Sequence, residues 1–234
     1  MRLVLVGPPG CGKGTQTERL VKRFGLVSIG TGAMFRAAVE RGTDTGRAVG
    51  PLIRRGLLAP DSIVNEVVAE LFRGPARAER FVMDGYPRTY AQAVAFDALL
   101  RLEYLRLDAV LNFTIADDEV VRRIGGRLCC SCPECGLCFH AVARPPKVPG
   151  RCDECAKPLV VRDDDREETI RRRLGQFHQN TDLLLSHYRR QGLVYDVAAT
   201  DHPDVIFPNI LKALYRRGLG ADGGAPDAAA GSAR

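Results

Sequence analysis

A chain of 234 residues holds one large or two small domains, and 45% hydrophobic with 26% charged residues describes a protein with a real core rather than a disordered one. The net charge of +6 favours anionic partners, whether nucleotides, nucleic acid or acidic membranes, without choosing among them. No apolar run nears the ~18 residues of a membrane helix, and Arg2 leads straight into a strand pattern rather than a signal peptide. An intracellular, reducing setting is therefore expected, in which the eight cysteines serve as metal ligands or free thiols rather than disulfides.

Leu3–Val6 reads as a buried strand. Gly7-Pro8-Pro9-Gly10-Cys11-Gly12-Lys13-Gly14-Thr15 follows, and then a helical pattern to Phe24. Strand, glycine-rich loop with Lys, and helix form a phosphate-binding P-loop. Its glycines let backbone N–H groups turn inward, the helix N-terminus aims its positive end at the same place, and Lys13 adds a mobile charge. Gly14 separates Lys13 from Thr15, where the general pattern has Ser or Thr directly after Lys.

Leu26–Ile29 is a second apolar run, and Thr31 is placed to cap a helix over Met34–Glu40. Arg41–Pro60 is turn-rich with a helical piece at Arg47–Arg55, and Asp61 is expected to cap a helix reaching Phe72. Arg80–Asp84 is a strand ending in a carboxylate, a Walker-B-like place for Asp84 to hold Mg²⁺, directly or through water. Thr89 and Gln92 have capping-box spacing at the start of a helix to Arg101. Asp108–Thr114 is a strand, and Asp117 is expected to cap a helix that stops at Gly125-Gly126. A Cys-, Pro- and Gly-rich insert spans Arg127–Asp163. A charged helix at Arg166–Gln191, a strand at Leu193–Val197 and a helix at Pro203–Arg217 complete the pattern, and Gly218–Arg234 is expected to be disordered. Alternating strands and helices predict an α/β domain with a mostly parallel sheet and a ligand at the carboxyl ends of its strands.

The insert carries Cys132-x2-Cys135, then sixteen residues, then Cys152-x2-Cys155, the spacing of two zinc knuckles. Four thiolates make a closed, structural Zn²⁺ site, and so short a segment has no core of its own to hold it. Cys129, Cys132, Cys135 and Cys138 are all three apart, so the first knuckle has three possible registers; Cys132 with Cys135 is taken, and whether Cys129, Cys130 or Cys138 joins is left open.

Asp84-Gly85-Tyr86-Pro87-Arg88, together with the P-loop, Ser28–Arg36, Gln92 and Arg162–Arg173, resembles adenylate kinase of the long bacterial type, from Met1 to about Leu214. The resemblance implies a P-loop NTPase-type core (1–30, 60–126 and 164–217), an α-helical AMP-binding insert (31–59), a zinc-stapled lid (127–163) and a tail (218–234). It implies the reversible, Mg²⁺-dependent reaction ATP + AMP = 2 ADP in a cytoplasmic monomer, with no nucleic-acid or membrane partner.

By residue match, ATP would meet Gly10, Cys11, Gly12, Lys13, Gly14, Thr15, Arg123, Arg127, Cys138, Phe139 and, more distantly, Asp201. Arg123 would stack on the base, presented with Arg127 on one helix face. AMP would meet Thr31, Arg36, Leu57, Leu58, Ala59, Gly85, Tyr86, Pro87, Arg88, Gln92, Arg162 and Arg173. Lys13, Arg88, Arg127, Arg162 and Arg173 would form the catalytic set, Asp164 and Asp165 would assemble the closed lid, and Cys132, Cys135, Cys152 and Cys155 would bind zinc. The chain departs from the family with Ala33 in place of Asp and Ala198-Ala199 in place of Asp-Gly. Rival readings are a kinase for another nucleoside monophosphate and a zinc-ribbon nucleic-acid binder, and the latter leaves Lys13 and the arginines unexplained.

Overall fold

The computed structural model describes residues 1–74, 77–132, 135–142 and 144–220. In chain order the elements are β1 (Arg2–Val6), α1 (Lys13–Phe24), β2 (Val27–Gly30), α2 (Thr31–Glu40), α3 (Asp44–Arg54), α4 (Asp61–Arg73), β3 (Phe81–Asp84), α5 (Tyr90–Leu102), β4 (Ala109–Thr114) and α6 (Asp117–Gly125). There follow β5 (Arg127–Cys130), β6 (Cys138–His140), β7 (Leu159–Val160), a 3-10 turn (Asp163–Asp165), α7 (Glu167–Arg190), β8 (Val194–Ala198) and α8 (Pro203–Tyr215). Among the described residues no helix is long and apolar enough to cross a membrane.

Five strands form a parallel sheet in the order β2-β3-β1-β4-β8. Its strands are apolar runs because helices cover both faces. Alternation divides them: Val4, Val6, Phe81, Met83 and Val110 face a cluster with α4, α5 and α7, while Leu3, Leu5, Val82, Leu111 and Phe113 face α1 and α8. In the first cluster Phe72 lies edge-on to Phe81 at 5.2 Å and to Phe96 at 5.6 Å, and Phe96 meets Tyr86 at 5.2 Å. Truncating one such buried ring costs about 3–5 kcal/mol, so the strand that delivers Asp84 is firmly seated.

Two parts leave this core. Residues 31–59 form the helix pair α2–α3, which crosses closely at Gly46, where a Cβ would lie 2.1 Å from the Ala38 carbonyl oxygen. Residues 127–163 contain a small antiparallel sheet, β6-β5-β7. Residues 31–59 leave from the carboxyl end of β2, whereas 127–163 leave from the C-terminus of α6 and not from a strand end as expected. The tail expected to be disordered lies largely outside the described residues, which end at Gly220.

Several capping expectations are corrected. The N-cap of α2 is Gly30, and the Thr31 hydroxyl instead donates to the Gly85 carbonyl at 2.9 Å. Asp61 and Asp117 are first helical residues, after Pro60 and Ala116. Their carboxylates serve tertiary partners: Asp61 accepts from Thr89, and Asp117 pairs with His178 Nε2. Thr89 does cap α5, accepting from Gln92 N, but the Gln92 side chain turns elsewhere, so only half of the capping box forms.

Candidate active site

The register of β1 on β3 sets Leu5 beside Asp84, so the P-loop and the Asp84 carboxylate leave neighbouring strands together. Gly10 has φ +73°, and a Cβ there would stand 2.4 Å from Ile124 Cγ1, so the loop closes only with glycine. Gly12, at φ 96°, is the N-cap of α1, which leaves the free N–H groups of the first turn facing the loop. Lys13 Nζ donates to the carbonyls of Gly7 at 2.7 Å and Pro8 at 2.8 Å, so its charge is held within the loop. The Cys11 side chain is wholly buried and offers a ligand only its backbone. Among the described residues the Asp84 carboxylate has no hydrogen-bond or ion-pair partner, which fits a group that receives a hydrated cation.

The opposite wall comes from Gly85–Arg88 and α2. Arg88 Nε donates to the Gly85 carbonyl at 2.8 Å, and the Tyr86–Pro87 bond is cis. Arg88 N donates to Gln92 Oε1 at 2.7 Å, and Gln92 Nε2 donates to Asp61 Oδ1 at 2.7 Å. Asp61 thus fixes the amide orientation of a Gln that is only 1% exposed. The Tyr86 side chain is buried in the core, donating to Asn65 Oδ1 at 2.8 Å, so this residue offers a nucleotide only its backbone; burial raises its pKa.

Between these walls stand Arg36, Arg88, Arg127, Arg162 and Arg173, with the three carboxylates Asp84, Asp164 and Asp165 among them. Arg127 makes a two-pronged pair with Asp165, its Nε donating to Oδ2 at 2.7 Å. Arg173 Nη1 donates to Asp164 Oδ2 at 2.8 Å and to the Asp164 carbonyl at 3.0 Å. The acidic pair therefore ties the first residue of the lid sheet to α7. Burial lowers the pKa of Arg36 and Arg88, and it lowers Arg162 and Arg173 to about 10, with neighbouring guanidinium groups adding to the effect at each. Cations desolvated and crowded in this way constitute a site for an anion. Arg127 opens β5 rather than continuing α6, so Arg123 and Arg127 reach the cleft from two elements, not from the single helix face expected.

At the far end Arg123 Nε donates to Glu119 Oε1 at 2.6 Å, Nη1 to the Ala199 carbonyl at 2.8 Å and Nη2 to the Thr200 carbonyl at 2.9 Å. With all its edges engaged, the guanidinium plane is fixed and leaves its faces for stacking. Neither Glu119 nor Asp61 was anticipated as a partner of a site residue. The four-residue spacing of Glu119 from Arg123 was a usable signal, whereas Asp61 and Gln92 stand 31 apart with no local cue.

The lid sulfurs correct the expected register. Sγ atoms of Cys130, Cys135, Cys152 and Cys155 all lie within 4.8 Å of one another, and Cys132 is not among them. Cys129 and Cys138 are joined by a disulfide, contrary to the expectation of free thiols or metal ligands throughout. The reason is strand alternation: successive residues of β5 project to opposite faces. Cys129 meets its cross-strand partner Cys138, and Cys130 turns to the cluster. Cys132 lies past the end of β5 and contributes its backbone N–H to Cys130 Sγ at 3.4 Å. Four sulfurs about 2.3 Å from a central ion would stand roughly 3.8 Å apart, and Cys135–Cys152 at 3.6 Å and Cys130–Cys155 at 3.3 Å fit that cage. Backbone N–H groups of Cys155 and Glu154 bring the Cys152 thiol down to about 7 against the effect of burial. The cluster can hold a structural metal.

One continuous cavity of about 1410 Å³ joins these walls. Of the non-cysteine side chains anticipated for the site, it is lined by all except Tyr86 and Asp165, and it also takes in Cys11, Cys138 and the far-end residue Asp201. Gln16, Glu119 and Arg144, given no site role from the sequence, line it too, as does His140, read from the sequence as a nucleotide-side or structural residue rather than a metal ligand. Its volume exceeds the roughly 300–1,000 Å³ of a single-ligand pocket.

A family model described as adenylate kinase matches residues 5–193. The chain is 40% identical to an adenylate kinase of Archaeoglobus fulgidus over 216 residues, 92% of this chain and 99% of that protein. It is 42% identical to one of Streptomyces coelicolor over 216 residues, 92% and 99% of the two chains. It is 40% identical to one of Thermodesulfovibrio yellowstonii over 217 residues, 93% and 100%. A match of this length, on a chain whose cleft pairs a P-loop with a second arginine-lined wall, makes the protein a member of the adenylate kinase family.

Proposed function

We propose that the cleft is a two-nucleotide site in which the γ-phosphoryl group of ATP passes directly to the phosphate of AMP, giving 2 ADP reversibly. The observation that carries this is one cavity with a P-loop on one wall, Thr31, Arg36 and Gly85–Arg88 on the other, and Arg127, Arg162 and Arg173 between. Gly10–Thr15 cradle the ATP phosphates, Arg123 stacks on its base with Cys138, Phe139 and Asp201 nearby, and Leu57–Ala59 with Gln92 border the AMP base.

The bond from the γ-phosphorus to the bridging oxygen of ADP breaks as an oxygen of the AMP phosphate bonds to that phosphorus. No general base is needed, since the acceptor oxygen is already anionic. Catalysis is alignment and charge neutralisation. Lys13 and Arg88 approach from opposite walls, and Arg127, Arg162 and Arg173 neutralise charge on the moving group. Asp165 and Asp164 orient Arg127 and Arg173. Asp84 would hold the Mg²⁺ that accompanies ATP through water, and that ion supplies charge neutralisation on the phosphate oxygens. The four-thiol cluster would hold Zn²⁺, which shapes the lid and takes no part in the chemistry. Lid closure excludes water, so the phosphoryl group goes to AMP and not to hydrolysis. Core (1–30, 60–126, 164–217), AMP-binding insert (31–59) and lid (127–163) are the moving parts, and the chain acts as a monomer.

The test offers Mg-ATP with AMP, CMP, UMP or GMP separately and measures the diphosphates formed. Activity centred on AMP is expected, and activity confined to another acceptor would overturn the reading.

A further inference from the structure

The seven lid cysteines divide into four cluster thiols, one spare thiol at Cys132, and the Cys129–Cys138 pair. That pair does a different job from the cluster. The cluster ties Cys130 and Cys135 to Cys152 and Cys155, binding the β5–β6 turn to the arm that leads into β7. The disulfide joins β5 to β6 directly, at a cross-strand position, on the face of β5 opposite the cluster. Cys129 is 2% exposed, while Cys138 borders the cleft, and Arg162 Nη2 donates to Cys138 Sγ at 3.1 Å. Strands of four and three residues make a hairpin too short to persist unaided. This hairpin carries Arg127 at one end and Phe139 beside Cys138.

We propose that Cys129 and Cys138 are a redox site: a reversible second staple that holds the nucleotide-facing hairpin of the lid in register independently of the metal. Reduction by a low-molecular-weight dithiol breaks the Sγ–Sγ bond. The two electrons and two protons pass to Cys129 and Cys138 as thiols, and the dithiol becomes a cyclic disulfide. Oxidation by a disulfide of the same class reverses each change. In the oxidised lid, loss of metal frees the arm around Cys152 and Cys155 but leaves β5 paired with β6. In the reduced lid, the same loss releases both.

The redox pair belongs to the lid, and only the activity readout below rests on the function proposed above. Full-length, metal-loaded protein is divided into four samples, with and without an excess of a chelator selective for thiophilic metals over Mg²⁺, removed before ADP formation is assayed in excess Mg²⁺, and with and without a trialkylphosphine, which is oxidised to its oxide as water supplies the oxygen and the protons. Thiols are alkylated after unfolding, and amide exchange is followed at 127–130 and 138–140. The phosphine-free protein is expected to show six alkylated cysteines, with Cys129 and Cys138 spared, and the reduced protein all eight. Chelator alone should lower ADP formation about threefold and leave hairpin protection, whereas chelator with phosphine should lower it more than about thirtyfold and remove that protection. Phosphine alone should change activity less than about twofold, because the metal still closes the lid. Cys129→Ser should show the thirtyfold chelator loss without phosphine. Eight reactive cysteines before reduction, or hairpin exchange on chelation that ignores the phosphine, would overturn the proposal. If no sample makes ADP, the functional reading fails, and the thiol count and the exchange still decide the redox site.

Discussion

The core wall and the lid wall of the cleft hold their functional groups by opposite means. Asp84 ends β3 and the P-loop that leads to Lys13 leaves β1, and both strands are buried on both faces among aliphatic and aromatic neighbours. Arg127 and Phe139 stand on strands of four and three residues and depend on a sulfur cluster, a disulfide and the Asp165 carboxylate. A packed core gives precision at the cost of mobility. A stapled flap keeps its own shape and can still move as a body. Substitutions on the two walls should therefore fail differently: those of the core wall in rate alone, those of the lid in structure first and rate second.

The largest effect is expected for Lys13→Met, with kcat/KM falling by roughly 10³ or more while the melting temperature stays within ~2 °C. Steady-state kinetics beside calorimetry would show it, and a large loss of stability would erase the contrast. Arg88→Lys should cost about 10², because an ammonium keeps the charge but not the two-pronged grip on phosphate. In the lid, Cys130→Ser and Cys152→Ser should each abolish stoichiometric metal in native mass spectrometry, whereas Cys132→Ser should retain it; metal loss in Cys132→Ser would restore the register expected from spacing alone. Asp165→Asn should destabilise by about 3 kcal/mol in denaturant melts, the low end for breaking a buried pair, since the amide still accepts one of the bonds from Arg127.

The smallest effect concerns Glu119. Hydrogen bonds from Arg122 and then Arg123 hold its carboxyl below the ordinary value of 4.5. A depressed carboxyl pKa contributes stability that is complete above that ordinary value and is lost as pH falls through the folded one. Glu119→Gln should therefore flatten the acid limb of the stability curve by less than about 1 kcal/mol and raise KM for ATP more than for AMP. Equal shifts in both KM values would count against the fixed Arg123 plane.

The sheet and the P-loop were legible because their signals are local: apolar runs of strand length and a glycine spacing that only a phosphate loop requires. The second wall was legible only through resemblance, since Thr31, Arg36 and Arg88 are distant in sequence and ordinary in type. The cysteine register misled because spacing counts residues and ignores the pleat. Cys129 and Cys130 are adjacent in sequence yet project from opposite faces of β5, and Cys132 falls beyond the strand's end. Thr31, Asp61 and Asp117 looked like caps because short polar side chains before a helix usually are. Each was taken instead by a partner 54, 28 or 61 residues away, which no local pattern encodes.

Direct transfer between two nucleotides held in one water-excluding cleft is the step on which the function turns. ATP labelled at the γ-phosphorus, mixed with AMP, Mg²⁺ and the enzyme, tests it most directly. Label is expected in ADP, with two ADP formed per AMP consumed and almost none as inorganic phosphate. Label released mainly as inorganic phosphate, at a rate indifferent to AMP, would contradict it.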